Sequence, residues 1–343
     1  FQLNLPIVPV TDLTIKDDNL IVATQGRSLW IIDDLTVLHQ LNSANKNAAT
    51  VLFKPKDAYR TKGRAASEPS KTEGQNHPEG VITQFYLKDW DKKDSIALTY
   101  MSMSGDTLAN FNTYSDKKEN KLMVNNGGNT HVWDTRGEGA EKLEGMILWS
   151  ANLDGAKAVP GSYKVYLNRN GASISETFTI LPDPSAEVSL ADMQKQYDFI
   201  TDINSTVDKA HKSIKKIRKI TSRLNAFTEQ YKGNSETKDL VEKAGEMKKG
   251  FEEIEKALYQ TKNRSGQDPL NFPIRLTNKL AHLNRLVSMD DFPPTDQDIA
   301  VKKELTTKIN AQLNTFDAMV AREIKEFNKA FNDLKLNYLF IEE

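Results

Sequence analysis

Asp33 and Asp34 are adjacent carboxylates, a pairing that in an active site shares a proton or a cation. Here they end a strand-like run, where neighbouring side chains point to opposite faces, so turn capping is expected of them. Five histidines, His39, His77, His131, His211 and His282, lack His-x-His or His-x-x-x-His spacing. Surface or capping roles follow, with no metal site. Asn126-Gly127-Gly128-Asn129 is glycine-rich but has no helix after it, and a phosphate cradle requires a helix N-terminus. A hairpin turn is expected there. Trp30, Trp90, Trp133 and Trp149 bring aromatic faces of the kind that stack on sugar rings. Single aromatics in β domains usually pack in cores, and the alternative is a glycan platform at Trp90, Trp133 and Trp149.

Two polar stretches have a similar pair of readings. In the loop from Asn263 to Pro273, Arg264, Gln267 and Asp268 lock the loop to the bundle or to the sandwich, or they form a recognition patch with Arg275 and Asn278. The basic run Lys212, Lys215, Lys216, Arg218 and Lys219 interleaves with Ile214, Ile217 and Ile220, which places the charges on an outer helix face. That face is either solvated or docks an anionic partner. Nothing in this inventory adds up to a catalytic set, and no cofactor is implied.

The elements that must carry these residues fall into blocks. Asp12 to Ile15, Asn19 to Thr24 and Ser28 to Asp33 read as three short strands joined by turns. The middle one, Leu20-Ile21-Val22-Ala23, is apolar on both faces, as in a strand packed between neighbouring sheets. Residues 41–80 read as a linker or long surface loop, poor in large apolar side chains beyond Tyr59 after residue 54. Strand signals return at Ile82 to Leu87, Ser95 to Met103, Thr107 to Tyr114, Leu122 to Val124, Thr130 to Trp133, Gly145 to Ala151, Gly161 to Leu167 and Ser173 to Ile180. So many strands in residues 81–182 predict a sandwich, with Asn170-Gly171 turning its last hairpin. Pro182-Asp183-Pro184 closes the sheet region, and Ser189 is placed to cap a helix.

From 185 to 343 the apolar period becomes helical. One stripe runs from Leu190 to Tyr231, a second from Leu240 to Leu258, a third from Leu276 to Val287 and a fourth from Leu305 to Leu334. Four such helices with short loops predict an antiparallel four-helix bundle. The 343 residues, 38% of them hydrophobic, suffice for more than one core. Forty-six Lys and Arg against 47 Asp and Glu leave a formal charge of -1, which excludes a general attraction to nucleic acid or anionic membrane. No run is apolar enough for membrane insertion. With no cysteine there are no disulfides or thiol chemistry, which fits a periplasm and a cytoplasm equally. Phe1 opens the chain inside a strand-like run, so a cut or processed beginning is expected.

Three separated segments carry a resemblance. Asn19-Leu20-Ile21-Val22-Ala23-Thr24-Gln25-Gly26-Arg27-Ser28-Leu29-Trp30-Ile31-Ile32-Asp33-Asp34 resembles the last blade of bacterial sortilin-like, sialidase-type (BNR) repeat propeller proteins, often labelled glycosyl hydrolases. Val159-Pro160-Gly161-Ser162-Tyr163-Lys164-Val165 resembles a hairpin of the Ig-like module that follows the propeller there. Lys262-Asn263-Arg264-Ser265-Gly266-Gln267-Asp268-Pro269-Leu270-Asn271-Phe272-Pro273-Ile274-Arg275 is similar to a segment of that group's helical tail. The Ser-x-Asp-x-Gly-x-x-Trp box of such propellers is absent, since Ser104-Gly105-Asp106 lacks the rest.

The resulting expectation is an α+β multidomain chain: a propeller-blade remnant over 1–40, the linker over 41–80, an Ig-like antiparallel β-sandwich over 81–182 and the bundle over 185–343. The resemblance implies export, to the periplasm or cell surface. As a function it implies a non-catalytic interaction and scaffolding module whose partner is a protein or the propeller of its own chain. The alternatives are the tail of a glycan- or peptide-acting hydrolase, with its active site in the propeller, and a carbohydrate-binding sandwich.

Overall fold

A computed structural model of the chain describes residues 4–43, 45–61 and 77–336. The architecture is α+β and divides into two compact units, Phe1–Gly137 with Lys157–Glu187, and Glu138–Ala156 with Val188–Glu343.

The first unit begins with β1 (Val10–Lys16), β2 (Asn19–Thr24) and β3 (Leu29–Ile32), an antiparallel meander followed by the short helix α1 (Thr36–Gln40). Asp17 and Asp18 both take positive φ, 50° and 60°, which gives a two-residue hairpin turn the right-handed twist of its strands. Next come β4 (Thr50–Leu52), β5 (Ala58–Arg60), β6 (Val81–Leu87), β7 (Ile96–Ser102), β8 (Thr107–Asn112), β9 (Gly127–Trp133), β10 (Gly161–Arg169) and β11 (Ala172–Pro182). They form a curled five-stranded sheet, β5-β11-β10-β7-β8, and a three-stranded sheet, β4-β6-β9. Alternation buries Val81, Phe85 and Leu87 of β6 against Tyr163, Val165 and Leu167 of β10 in one core. Tyr100 of β7 stacks on Trp133 of β9 at 4.4 Å and shares a 2.8 Å hydrogen bond with Thr83 of β6. Asn170 and Gly171 turn the β10–β11 hairpin at φ 51° and 88°. Beside that turn Arg169 donates to the carbonyl of Lys88 at 2.9 Å and to the Asp94 carboxylate at 2.7 Å. Hydrogen bonds from Asn170 and Arg169 hold the Asp94 carboxyl below its ordinary pKa.

The strands depart from expectation in four places, the first being Gly145 to Ala151, which forms no strand and belongs to the second unit. Residues 41–80 contribute β4 and β5, too short to show a period; Arg60 at the end of β5 is buried and donates to the carbonyls of Lys157 and Ala158. Leu122 and Val124 fill the core without joining a ladder, the Leu122 amide instead donating to the Asn112 carbonyl. Gly127 and Gly128 open β9, paired with Leu87 and Tyr86, and do not form a hairpin turn.

In the second unit α2 (Leu190–Gln230), α3 (Lys238–Leu258), α4 (Leu276–Val287), α5 (Asp296–Met319) and α6 (Lys325–Asp333) are the helices. Ser189 caps α2, accepting from the Asp192 amide at 3.1 Å. The four predicted stripes are helical but make three columns, and the four-helix bundle is corrected accordingly. Thr277 of α4 donates to the Leu258 carbonyl at 2.9 Å, so α4 continues the line of α3 end to end. That broken column runs antiparallel to α2: Arg218 meets Glu255, and the Gln196 amide donates to the Val287 carbonyl. The third column is α5 running into α6 through a π-helical turn, Val320–Ile324, parallel to α2 through Lys302 with Asp202 and Phe327 against Phe227. Among the described residues no helix is long and apolar enough to cross a membrane.

His131 of β9 is turned into the first unit, 4.3 Å from the Phe111 ring, with no partner for Nε2. This corrects the expectation of a surface or capping role. Burial pulls its pKa down to about 4, against the raising pull of Asp134. The unfolded chain therefore binds this proton more tightly. The contribution of His131 to stability is full above pH 6.5 and is lost as pH falls toward 4. His131→Phe is expected to flatten that loss, read from chemical-denaturation midpoints across the interval. An unchanged slope would assign the acid sensitivity elsewhere.

Candidate functional site

The sheet β1-β2-β3 has its apolar side chains on both faces, because its register aligns two alternating sets. Leu13 pairs with Val22 and Ile15 with Leu20, and these with Trp30 and Ile32, on one face. Ile21 with Ile31 and Ala23 with Leu29 make the other. Val22 is buried, but Leu13 and Ile15 are 58% and 61% exposed on the first face, and Leu29 and Ile31 are 65% and 57% exposed on the second. All of β1 is exposed. At its base Asp34 accepts from the Thr36 amide at 2.9 Å and stands 4.0 Å from Lys56, while its own amide donates to the Asn19 side-chain oxygen at 3.0 Å. That is the turn-capping role expected of it.

A second constellation lies in the helical unit, where Glu138–Ala156 forms a strap over α2 and α4. Its Leu143 and Leu153 are buried in the helical core. Its backbone is held by side chains at core-facing helix positions. Asn278 accepts from the Trp149 amide at 2.8 Å and donates to the Trp149 carbonyl at 2.9 Å, as a neighbouring strand would. Asn204 and Asn284 both donate to the Asp154 carbonyl, at 2.8 and 3.2 Å, and Asn284 donates to Asn204 at 2.8 Å. Tyr259 accepts from the Ile147 amide at 2.9 Å. His211, fully buried, joins Nδ1 to the Glu141 carbonyl at 2.6 Å and leaves Nε2 without a partner. Its expected surface role is corrected too. Sequence reasoning missed this seam, although polar residues at core spacing, Asn204 and His211 among isoleucines, are its signal.

The predicted site residues do not converge. Asp268 accepts from the amides of Arg264 and Ser265 at 2.5 and 3.0 Å and from the Ser265 hydroxyl at 2.9 Å, so it ties the loop to itself and not, as expected, to the bundle or the sandwich. Those bonds hold the Asp268 carboxyl below its ordinary pKa. Arg264, Gln267 and Arg275 are exposed, but Asn278 is consumed by the strap, so the patch of all five does not assemble. Trp133 is fully buried and donates to the Arg136 carbonyl, which leaves no ring face for a sugar. Trp90 is half-buried against the core of the first unit, its amide held by Asn126, and Trp149 is half-buried in the strap. Trp90 and Trp149 belong to different units.

Two clefts of about 190 and 480 Å³ in the first unit share Tyr59, Thr61, Glu79 and Gly80. The smaller adds Asp134 and Arg136, an ion pair at 3.9 Å. No group of three or more acidic, histidine or cysteine side chains among the described residues is placed to hold a metal.

No family model matches the chain, and no curated protein matches it. A solved structure named pT26-6p is 11% identical, the match covering 75% of this chain and 46% of that one at a TM-score of 0.16. The chain thus spans less than half the length of that structure, and a likeness at this TM-score carries no argument.

The seam generates a test. Asn278→Ala removes both bonds to Trp149 and is expected to cost about 1–3 kcal/mol, with faster amide exchange in the strap. Acid acts through His211, whose pKa is lowered chiefly by burial. The seam is at full strength above about pH 6.5 and weakens as pH falls through the lowered value. His211→Gln can still donate to the Glu141 carbonyl and is expected to remove this acid response. Equal acid-induced exchange in variant and wild type would rule His211 out as its cause.

Proposed function

We propose that this chain is a non-catalytic interaction and scaffolding module of an exported propeller protein, with β1-β2-β3 as blade strands that the remainder of a β-propeller covers. The observation that carries the reading is the exposure of Leu13 and Ile15 on one face of that sheet and Leu29 and Ile31 on the other. A sheet at a surface buries one face; a sheet inside a stack of blades buries both. Covering these four side chains would contribute on the order of 5 kcal/mol, enough to hold the sheet in a larger assembly. The resemblance of residues 19–34 to a last propeller blade supplies the identity of the cover, and that of residues 159–165 supports reading the two sheets behind it as an Ig-like module. In the same reading the helical columns are a rigid spacer or docking surface, and the protein works in the periplasm or at the cell surface.

The test compares amide exchange in the 343-residue chain with that in a polypeptide extended upstream through the propeller sequence. Amides and side chains of β1 and β3 are expected to become protected in the longer protein, and Leu13→Asp with Ile31→Asp to remove that protection while leaving β6–β11 untouched. Equal exchange of β1 and β3 in both would overturn the reading.

A further inference from the structure

The outward line of α2 carries Lys209, Lys212, Lys216, Lys219 and Arg223 at steps of three and four residues, so they lie above one another on a single helix face. All five are exposed. Lys212 is engaged by Asp208 at 2.7 Å, whereas none of the other four has an ion-pair partner among the described residues. Two cations of the predicted basic run are paired with distant carboxylates, Lys215 with Glu141 and Arg218 with Glu255 at 2.7 Å. The unpaired stripe is therefore Lys209, Lys216, Lys219 and Arg223. It extends about 21 Å at 1.5 Å per residue. Elsewhere in this unit lysines interleave with carboxylates, as in Lys195 with Asp192, Lys256 with Glu253 and Lys308 with Glu304.

We infer that this stripe docks an acidic helix of a partner protein, one whose Asp and Glu side chains recur at three- and four-residue steps along the face laid against α2. Four cations of one sign on a rigid line select a partner whose charges are held at the same spacing, and a helix provides that spacing. The exposed neighbours Ser205, Ser222, Asn225 and Ala226 supply no aromatic or large apolar side chain. Seating in a lipid interface or stacking on bases needs such groups. Asp198 and Asp202 bound the stripe at one end and Glu229 at the other, so a long polyphosphate running past either end meets like charge. The apolar face of α2 is already consumed by Ile203, Val207, Ile214 and Ile217 in the core, which leaves charge as the means of recognition.

The probe is a labelled synthetic helical peptide with Glu at three- and four-residue steps, followed by fluorescence anisotropy at low salt. Controls are a scrambled peptide of equal charge, duplex DNA and phosphatidylserine vesicles. The helical peptide is expected to bind best and to weaken as salt rises. Lys209→Glu, Lys216→Glu, Lys219→Glu and Arg223→Glu together are expected to weaken it about tenfold or more, and the same four changed to Gln by less. Lys238→Glu with Lys249→Glu, exposed on α3, should leave it unchanged. Melting curves confirm that each variant folds, and the Gln set replaces the Glu set if charge reversal unfolds the bundle. Equal binding by wild type and variants, no binding at all, or tighter binding of DNA or vesicles than of the helix would overturn the inference.

Discussion

A buried peptide group without a hydrogen-bond partner costs roughly 1–3 kcal/mol, and the helical unit is organised around that constraint. The strap Glu138–Ala156 has no regular structure of its own, yet Leu143 and Leu153 lie in the core. Its amides and carbonyls cannot reach a ladder, so the helices supply side-chain partners instead. Asn278 mimics a strand opposite Trp149, while Asn204 and Asn284 converge on the Asp154 carbonyl. Each asparagine occupies a position whose spacing would otherwise take an aliphatic residue. Without the strap these amides would be unsatisfied inside the core; without the amides the strap could not be buried.

The column of α3 and α4 is broken beside the strap. Tyr259, just past α3, turns its hydroxyl to the Ile147 amide, and Asn278, at the start of α4, faces Trp149. The chain leaves the column after Leu258, makes the Asp268-locked loop, and returns with Thr277 bonded to the Leu258 carbonyl. Polar residues in that loop thus serve its own geometry first. This is why a stretch rich in Arg, Asn and Asp does not by itself make a binding site.

In the first unit the two sets of strands differ in kind. The strands β4 to β11 enclose a core with Trp133, Tyr100 and Phe178 packed ring against ring. β1 to β3 have apolar side chains on both faces and cover on neither at Leu13, Ile15, Leu29 and Ile31. Their hairpin geometry is nonetheless regular, with both residues of the Asp17-Asp18 turn at positive φ. Local turn chemistry shapes this sheet, and these four apolar side chains stay exposed.

Where the physics is local, the sequence alone determined the outcome. The Asn170-Gly171 turn, the three strands of residues 10–32, the Ser189 cap and the apolar stripes of the helices follow from backbone preference and period, and each is in the structure. What the sequence could not decide depends on which distant groups meet. Nothing local distinguishes four helices from three columns, since that depends on where α4 returns, beside the end of α3 and along α2. Gly145 to Ala151 looks like a strand by composition, but its partners are side chains from Tyr259 and Asn278, far along the chain. The basic run of α2 divides into spent and free cations only when Glu141 and Glu255 arrive opposite Lys215 and Arg218. Periodicity reports which face of an element is apolar; only the tertiary structure decides what each polar group on the other face is bonded to.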